Sequence, residues 1–167
     1  MNQQYKYIGP EHLLAEGRSS PGGIPLRSAA DIHSWLLSAE AEPAGARWPA
    51  TYIVSTSGTL KFASRRSEHV SCASGQNVLA AGEIFFGMDG TVVAATNQST
   101  GYCPRPDCWP HVRDAIERAG LTPPQGFETE FHFRRCPGCG ERNLVREEYF
   151  VCSICDSDLP LQWNFLT

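Results

Sequence analysis

Residues 136–155 read CPGCGERNLVREEYFVCSIC, two Cys-x-x-Cys pairs separated by twelve residues. Two such thiols can face one ion when the chain between them turns tightly, and the glycines at 138 and 140 leave room for that turn. Together the pairs supply four sulfurs, a full tetrahedral set for zinc with no position left for water or a substrate. The expectation for Cys136, Cys139, Cys152 and Cys155 is therefore one structural Zn2+ per chain. The competing chemistry, a redox dithiol, wants its Cys-x-x-Cys at a strand-to-helix junction of a βαβ unit, and neither pair reads that way.

Between the pairs, NLVR and YFVC are β-like runs around Glu147-Glu148 that can form a hairpin carrying the second knuckle. With the cysteine spacing, this resembles the zinc-ribbon family over roughly the last 32 residues. The resemblance implies a fold that needs its metal, because so short a segment lacks a core and zinc supplies roughly 10–16 kcal/mol in comparable peptides. Tyr149, Phe150, Leu159, Leu161, Trp163 and Phe165 are expected to dock the ribbon onto the rest of the chain or onto a protein partner. From residue 131 onward, Arg134, Arg135, Arg142 and Arg146 face five acids, Glu141, Glu147, Glu148, Asp156 and Asp158, so a duplex nucleic-acid surface is not indicated.

A second set of chemistry-bearing residues is RRSEHVSC, residues 65–72, followed by the VLAAGE of 78–83. His69 and Cys72, with Cys103, Cys108 and His111 farther on, have the residue types of another metal site, Glu68 or Glu83 serving as base. The order does not fit the cytidine deaminases, which need H-x-E and P-C-x-x-C; here the acid precedes the histidine and four residues separate Cys103 from Cys108. Cys72 or Ser99 could instead be a nucleophile with His69 as base. Glu83 lies in an apolar run where an unpaired carboxylate is costly to bury, so Arg65 or Arg66 is its natural partner. TNQSTGYCP, residues 96–104, has the chemistry of a turn or a ligand-contacting loop.

SEHV, AAGE and NQSTGY-P together resemble a bacterial toxin- and defence-associated module with His, A-G-E and S-G-H-Y-x-P signatures in that order, although its last histidine is Thr100 or Gly101 here. Ser55-Thr56-Ser57 and Glu128-Thr129-Glu130, with Arg27 or Arg47 upstream, are similar to the Arg, Ser-Thr-Ser and Glu-x-Glu order of ADP-ribosyltransferases. Against that likeness, Ser57-Gly58 reads as a hairpin turn and the two glutamates as the outer face of a strand.

These residues must be positioned by a chain of 167 residues, enough for one domain with a small appendage. TYIVSTSGTLKFAS and NVLAAGEIFFGMDGTVVAAT predict hairpins turning at Ser57-Gly58 and Asp89-Gly90. Helices are expected at PEHLLAEG, at 28–40 behind a Ser28 cap, and after Asp107 as far as Gly120. FETEFHF, 127–133, alternates as a half-buried strand. The expected fold is α+β, a mostly antiparallel sheet of about five strands with two packed helices and a C-terminal zinc ribbon; the division is 1–133 as main domain and 134–167 as ribbon element.

The net charge of -4 offers no broad basic field for nucleic acid or anionic membrane. The seven cysteines are an odd number and the start MNQQYKYIGP has no export signal, so a cytoplasmic protein without a membrane span is expected. Two functions are open. One is recognition of a protein or small ligand in a polar pocket of Arg66, Glu68, His69, Glu83, Asn97, Ser99 and Tyr102; the other is a hydrolase or transferase using His69 and Glu83 as acid and base.

Overall fold

The β-rich runs of residues 48–64 and 78–95 build two antiparallel hairpins, and each turns at a glycine with left-handed backbone, Gly58 at φ 86° and Gly90 at φ 80°. The computed structural model describes residues 3–165. The sheet begins with a short edge strand, β1 (Ile24–Pro25). The first hairpin joins β2 (Trp48–Ser55) to β3 (Leu60–Ser64), and the second joins β4 (Val78–Phe86) to β5 (Val92–Ala95). They fuse through β2 and β4, in register from Trp48 opposite Phe86 to Val54 opposite Ala80, with a one-residue shift before Ser55 meets Val78. The five strands lie in the order β1-β3-β2-β4-β5, all antiparallel.

The edge strand comes from the RSSPGGIPLR loop, not from FETEFHF. Residues 127–131 run beside β5 with one bridge, Thr129 to Thr96, and one bond from the Glu128 N–H to the Ala95 carbonyl at 2.9 Å. Asn97 occupies the backbone of Phe131, so the regular strand starts only at β6 (His132–Arg135), which pairs with β7 (Arg142–Val145) in a separate two-stranded sheet.

The described residues hold four helices, the three expected ones, α1 (Glu11–Arg18), α2 (Ala29–Leu36) and α4 (Trp109–Arg118), and one further single turn, α3 (His69–Cys72). Ser28 caps α2 as expected, and Asp31 closes the box by accepting from the Ser28 N–H at 3.1 Å. The helix stops short of residue 40 because Ser38 gives both its N–H and its hydroxyl to the Trp35 carbonyl, at 2.9 and 2.6 Å. Asp107 does not cap α4; it lies in a 3₁₀ turn, Pro106–Cys108, and pairs with Arg105. Gly120, at φ 77°, ends the helix segment.

Trp35 of α2 meets Phe62 of β3 and Phe86 of β4 edge to face, at centroid distances of 5.7 and 5.8 Å, in the centre of the main core. Val112, Ala115 and Ile116 of α4 are buried in the same core. Two smaller cores follow, one of Cys103, Phe133 and Phe165 and one of Cys136, Cys152 and Leu159. No helix among the described residues is long and apolar enough to cross a membrane.

Candidate metal centre

The sulfurs of Cys136, Cys139, Cys152 and Cys155 lie within 4.8 Å of one another. Cys136 and Cys155 are 3.5 Å apart, and Cys139 and Cys152 are 3.6 Å apart. Sulfurs at the corners of a tetrahedron around zinc, each about 2.3 Å from the metal, are separated by about 3.8 Å. The four cysteines can therefore hold a metal ion with little movement. They are the one group of three or more His, Cys, Asp or Glu side chains among the described residues with that capacity.

Each knuckle is closed by the same two backbone bonds. Gly140 N–H donates to the Cys136 carbonyl at 2.9 Å and Cys136 N–H to the Glu141 carbonyl at 2.8 Å; Asp156 N–H donates to the Cys152 carbonyl at 3.1 Å and Cys152 N–H to the Ser157 carbonyl at 2.8 Å. The residue after the second cysteine of each pair is left-handed, Gly140 at φ 78° and Asp156 at φ 59°. Gly138 matters differently: a Cβ there would stand 2.7 Å from the Ser157 hydroxyl of the opposite knuckle. The hairpin between the knuckles turns at Glu147 and Glu148, both with positive φ, and closes with Tyr149 N–H donating to the Arg146 carbonyl at 2.9 Å.

Donors surround the sulfurs. The Cys155 N–H, then the Ile154 N–H and the Asn143 amide, favour the Cys152 thiolate and bring its pKa down to about 6. The Ser157 hydroxyl and N–H lower Cys155. Cys139 goes the other way, to about 12: the Glu141 N–H favours its thiolate, but desolvation and the neighbouring Cys152, Cys155 and Cys136 sulfurs outweigh it. Four adjacent sulfurs do not all ionise without a cation among them.

The arginines of this region serve the chain itself. Arg134, 7% exposed, donates to the carbonyls of Phe133, Pro160 and Leu161 at 2.8, 3.0 and 2.6 Å. Arg135 donates to the Gly140 carbonyl and stacks on Phe165, and Arg142 reaches the Thr100 carbonyl. Trp163 Nε1 donates to the Cys103 carbonyl at 2.8 Å. Leu159 and Phe165 are buried and Trp163 half-buried, whereas Tyr149, Ile154 and Leu161 stay largely exposed. No family model, curated protein or solved structure matches the chain.

The NQSTGYCP loop is where the ribbon meets the sheet. Asn97, fully buried, takes the Phe131 N–H at 2.7 Å and donates to the carbonyls of Phe131 and Pro104 at 2.8 and 3.1 Å. Ser99 and Tyr102 are 1% exposed; the Ser99 hydroxyl accepts from the Tyr102 N–H, and the Tyr102 hydroxyl donates to the Gln76 carbonyl at 2.7 Å. Thr100 and Cys103 contribute the carbonyls that Arg142 and Trp163 take.

The RRSEHVSC segment turns into α3. Arg66 is exposed and pairs with Glu42 at 3.0 Å, and Glu68 is exposed at the N-terminal end of the turn. His69 is half-buried, with Nε2 2.8 Å from the Gly82 carbonyl. Burial lowers its pKa against that hydrogen bond, so the ring is neutral at pH 7, with the Nε2 proton donated to the carbonyl. Gly82, the glycine of A-G-E, has no room for a side chain because a Cβ would sit 2.0 Å from the Thr96 carbonyl oxygen. The cation near the half-buried Glu83 is Arg47 rather than Arg65 or Arg66. Arg47 forms a bidentate pair with Glu128, at 2.8 and 3.0 Å, over the Phe85 ring. Its pKa rises chiefly through that pair, and Glu83 adds a smaller attraction.

Cys72, Cys103 and Cys108 are buried thiols pushed up to about 12 by desolvation, with the Cys72 sulfur against the Lys61 carbonyl and the Cys103 sulfur against that of Thr100. No second metal cluster gathers them with His69 and His111 among the described residues. Of the two arginines in the ADP-ribosyltransferase likeness, Arg47 does not join the serines: it and the Ser55–Ser57 turn stand at opposite ends of β2, whose length is roughly 23 Å.

Proposed function

We propose that this chain is a zinc protein that works by recognition, its four-cysteine ribbon fixing structure rather than performing chemistry. The observation that carries the reading is the gathering of four cysteine sulfurs within 4.8 Å of one another, two of the pairs at 3.5 and 3.6 Å, a set that would fill all four places of a zinc ion. Cys136, Cys139, Cys152 and Cys155 would hold the ion, which supplies no Lewis acid to a substrate when all four places are taken. The metal instead keeps β6, β7 and the C-terminal segment folded, and these dock on the loop at 97–104 through Asn97, Arg142 and Trp163.

The ligand, a protein or a small molecule, is assigned to the polar set Arg66, Glu68, His69, Glu83, Asn97, Ser99 and Tyr102, of which the first four are exposed or half-buried and the last three buried. The test of the metal reading is chelation of the full-length protein. A strong chelator should lower thermal stability and expose the half-buried Trp163, and added zinc should restore both; an unchanged melting profile contradicts the reading.

A second reading, hydrolase or transferase chemistry with His69 and Glu83 as acid and base, has one observation in its favour. The Gly82 carbonyl fixes the neutral tautomer of His69 with Nδ1 as the acceptor. His69→Ala would then abolish turnover while partner binding and stability persist; a loss of stability alone would mark the histidine as structural.

A further inference from the structure

A cleft of about 420 Å³ opens at the seam between the 3₁₀ turn and the ribbon. One wall carries Arg105 and Asp107, the other the row Glu130, His132 and Arg134, and Trp163 contributes to its apolar lining. Asp107 engages Arg105, whereas the side chains of Glu130 and His132 form no ion pair among the described residues. Arg134 is more than nine-tenths buried and no carboxylate pairs with it; three backbone carbonyls take its three nitrogens and its guanidinium lies 5.5 Å from the Phe150 ring centroid, leaving two of the five N–H groups and no anion against the charge.

We infer that this seam cleft binds a short zwitterionic peptide, its free amine toward Glu130 and its carboxylate toward Arg134. Charge decides the class. The two arginines and two acids balance, so an anion or a cation alone gains at one end what it loses at the other, whereas a dipolar molecule gains at both. Length decides the size. Residues 130–134 run nearly extended over about 13 Å, and a tripeptide reaches about 10 Å. A cavity of this volume falls in the range that holds such a molecule, and Trp163 offers an apolar surface for a central side chain. The inference rests on the recognition reading above and adds a second site, lined by none of the four metal-binding cysteines.

The experiment is calorimetric titration of full-length, zinc-assayed protein with Gly-Leu-Gly, with its N-acetyl form and with its C-terminal amide. The free tripeptide should bind one per chain, and either block should weaken binding tenfold or more, as loss of a charge-assisted hydrogen bond does. Glu130→Gln breaks no ion pair of the folded chain; it should erase the discrimination against N-acetylation and keep that against the amide. Absence of saturable binding, equal binding of the three peptides, or unchanged discrimination in Glu130→Gln overturns the inference. Zinc-replete protein that fails to bind sinks this site alone, and zinc-free protein that binds sinks the metal reading alone.

Discussion

Asn97 and Phe131 are joined by a reciprocal pair of hydrogen bonds: the Phe131 N–H donates to Asn97 Oδ1 at 2.7 Å, and Asn97 Nδ2 donates to the Phe131 carbonyl at 2.8 Å. The side-chain amide stands where a neighbouring strand would, and Phe131 sits one residue before β6 begins. The ribbon therefore enters its own sheet from a point fixed to the main one.

Asn97→Ala should cost about 1–3 kcal/mol, because it strands the backbone of Phe131 and the Pro104 carbonyl in a buried place. Urea unfolding of the variant measures it. A loss below a few tenths of a kcal/mol would mean that water replaces the amide.

Gly82→Ala should destabilise by more than about 2 kcal/mol, since the new methyl meets the Thr96 backbone rather than a movable side chain. The same unfolding measurement decides it, and wild-type stability would contradict the close approach of β4 to the chain after β5.

Stability should depend on the protonation of His69. Its folded pKa lies below the ordinary histidine value, so the unfolded chain binds more protons in the interval between them. The contribution is complete above about pH 6.5, the unfolded value, and is lost as pH falls through the folded one. The groups nearest in sequence and register are Glu68, Glu83 and Thr96, and neither acid forms an ion pair with the ring among the described residues. His69→Gln should flatten the fall in urea midpoint below about pH 6.5; an unaltered slope would assign that fall to the carboxylates.

Alkylation should divide the cysteines by location. Chelation frees the four-cysteine segment, so native protein treated with a chelator should take up iodoacetamide at Cys136, Cys139, Cys152 and Cys155, while Cys72 and Cys108, buried in the main core, react only after unfolding. Peptide mass mapping reads the result, and rapid modification of Cys72 in folded protein would contradict its burial.

Local signals carried well from sequence to structure. Gly58 and Gly90 placed both hairpins, the Ser28–Asp31 box began α2, and the two Cys-x-x-Cys pairs gathered their sulfurs. Signals that depend on distant partners did not. Alternation in FETEFHF could not reveal that Asn97 would take the backbone of Phe131, nor could the polarity of NQSTGYCP say that the Asn97 amide and the Thr100 and Cys103 carbonyls would meet the C-terminal segment. Glu83 needed a cation, but sequence proximity suggested Arg65 or Arg66 where pairing of β2 with β4 brought Arg47. The seam cleft had no sequence signal, because its walls are assembled from residues 105–107, 130–134 and 162–163.

The central claim is a structural metal held by four thiolates, and X-ray absorption at the zinc edge tests it most directly. Protein purified without chelators should contain one zinc per chain with four sulfur neighbours at about 2.3 Å. No bound metal, or a shell containing nitrogen or oxygen, would contradict the account.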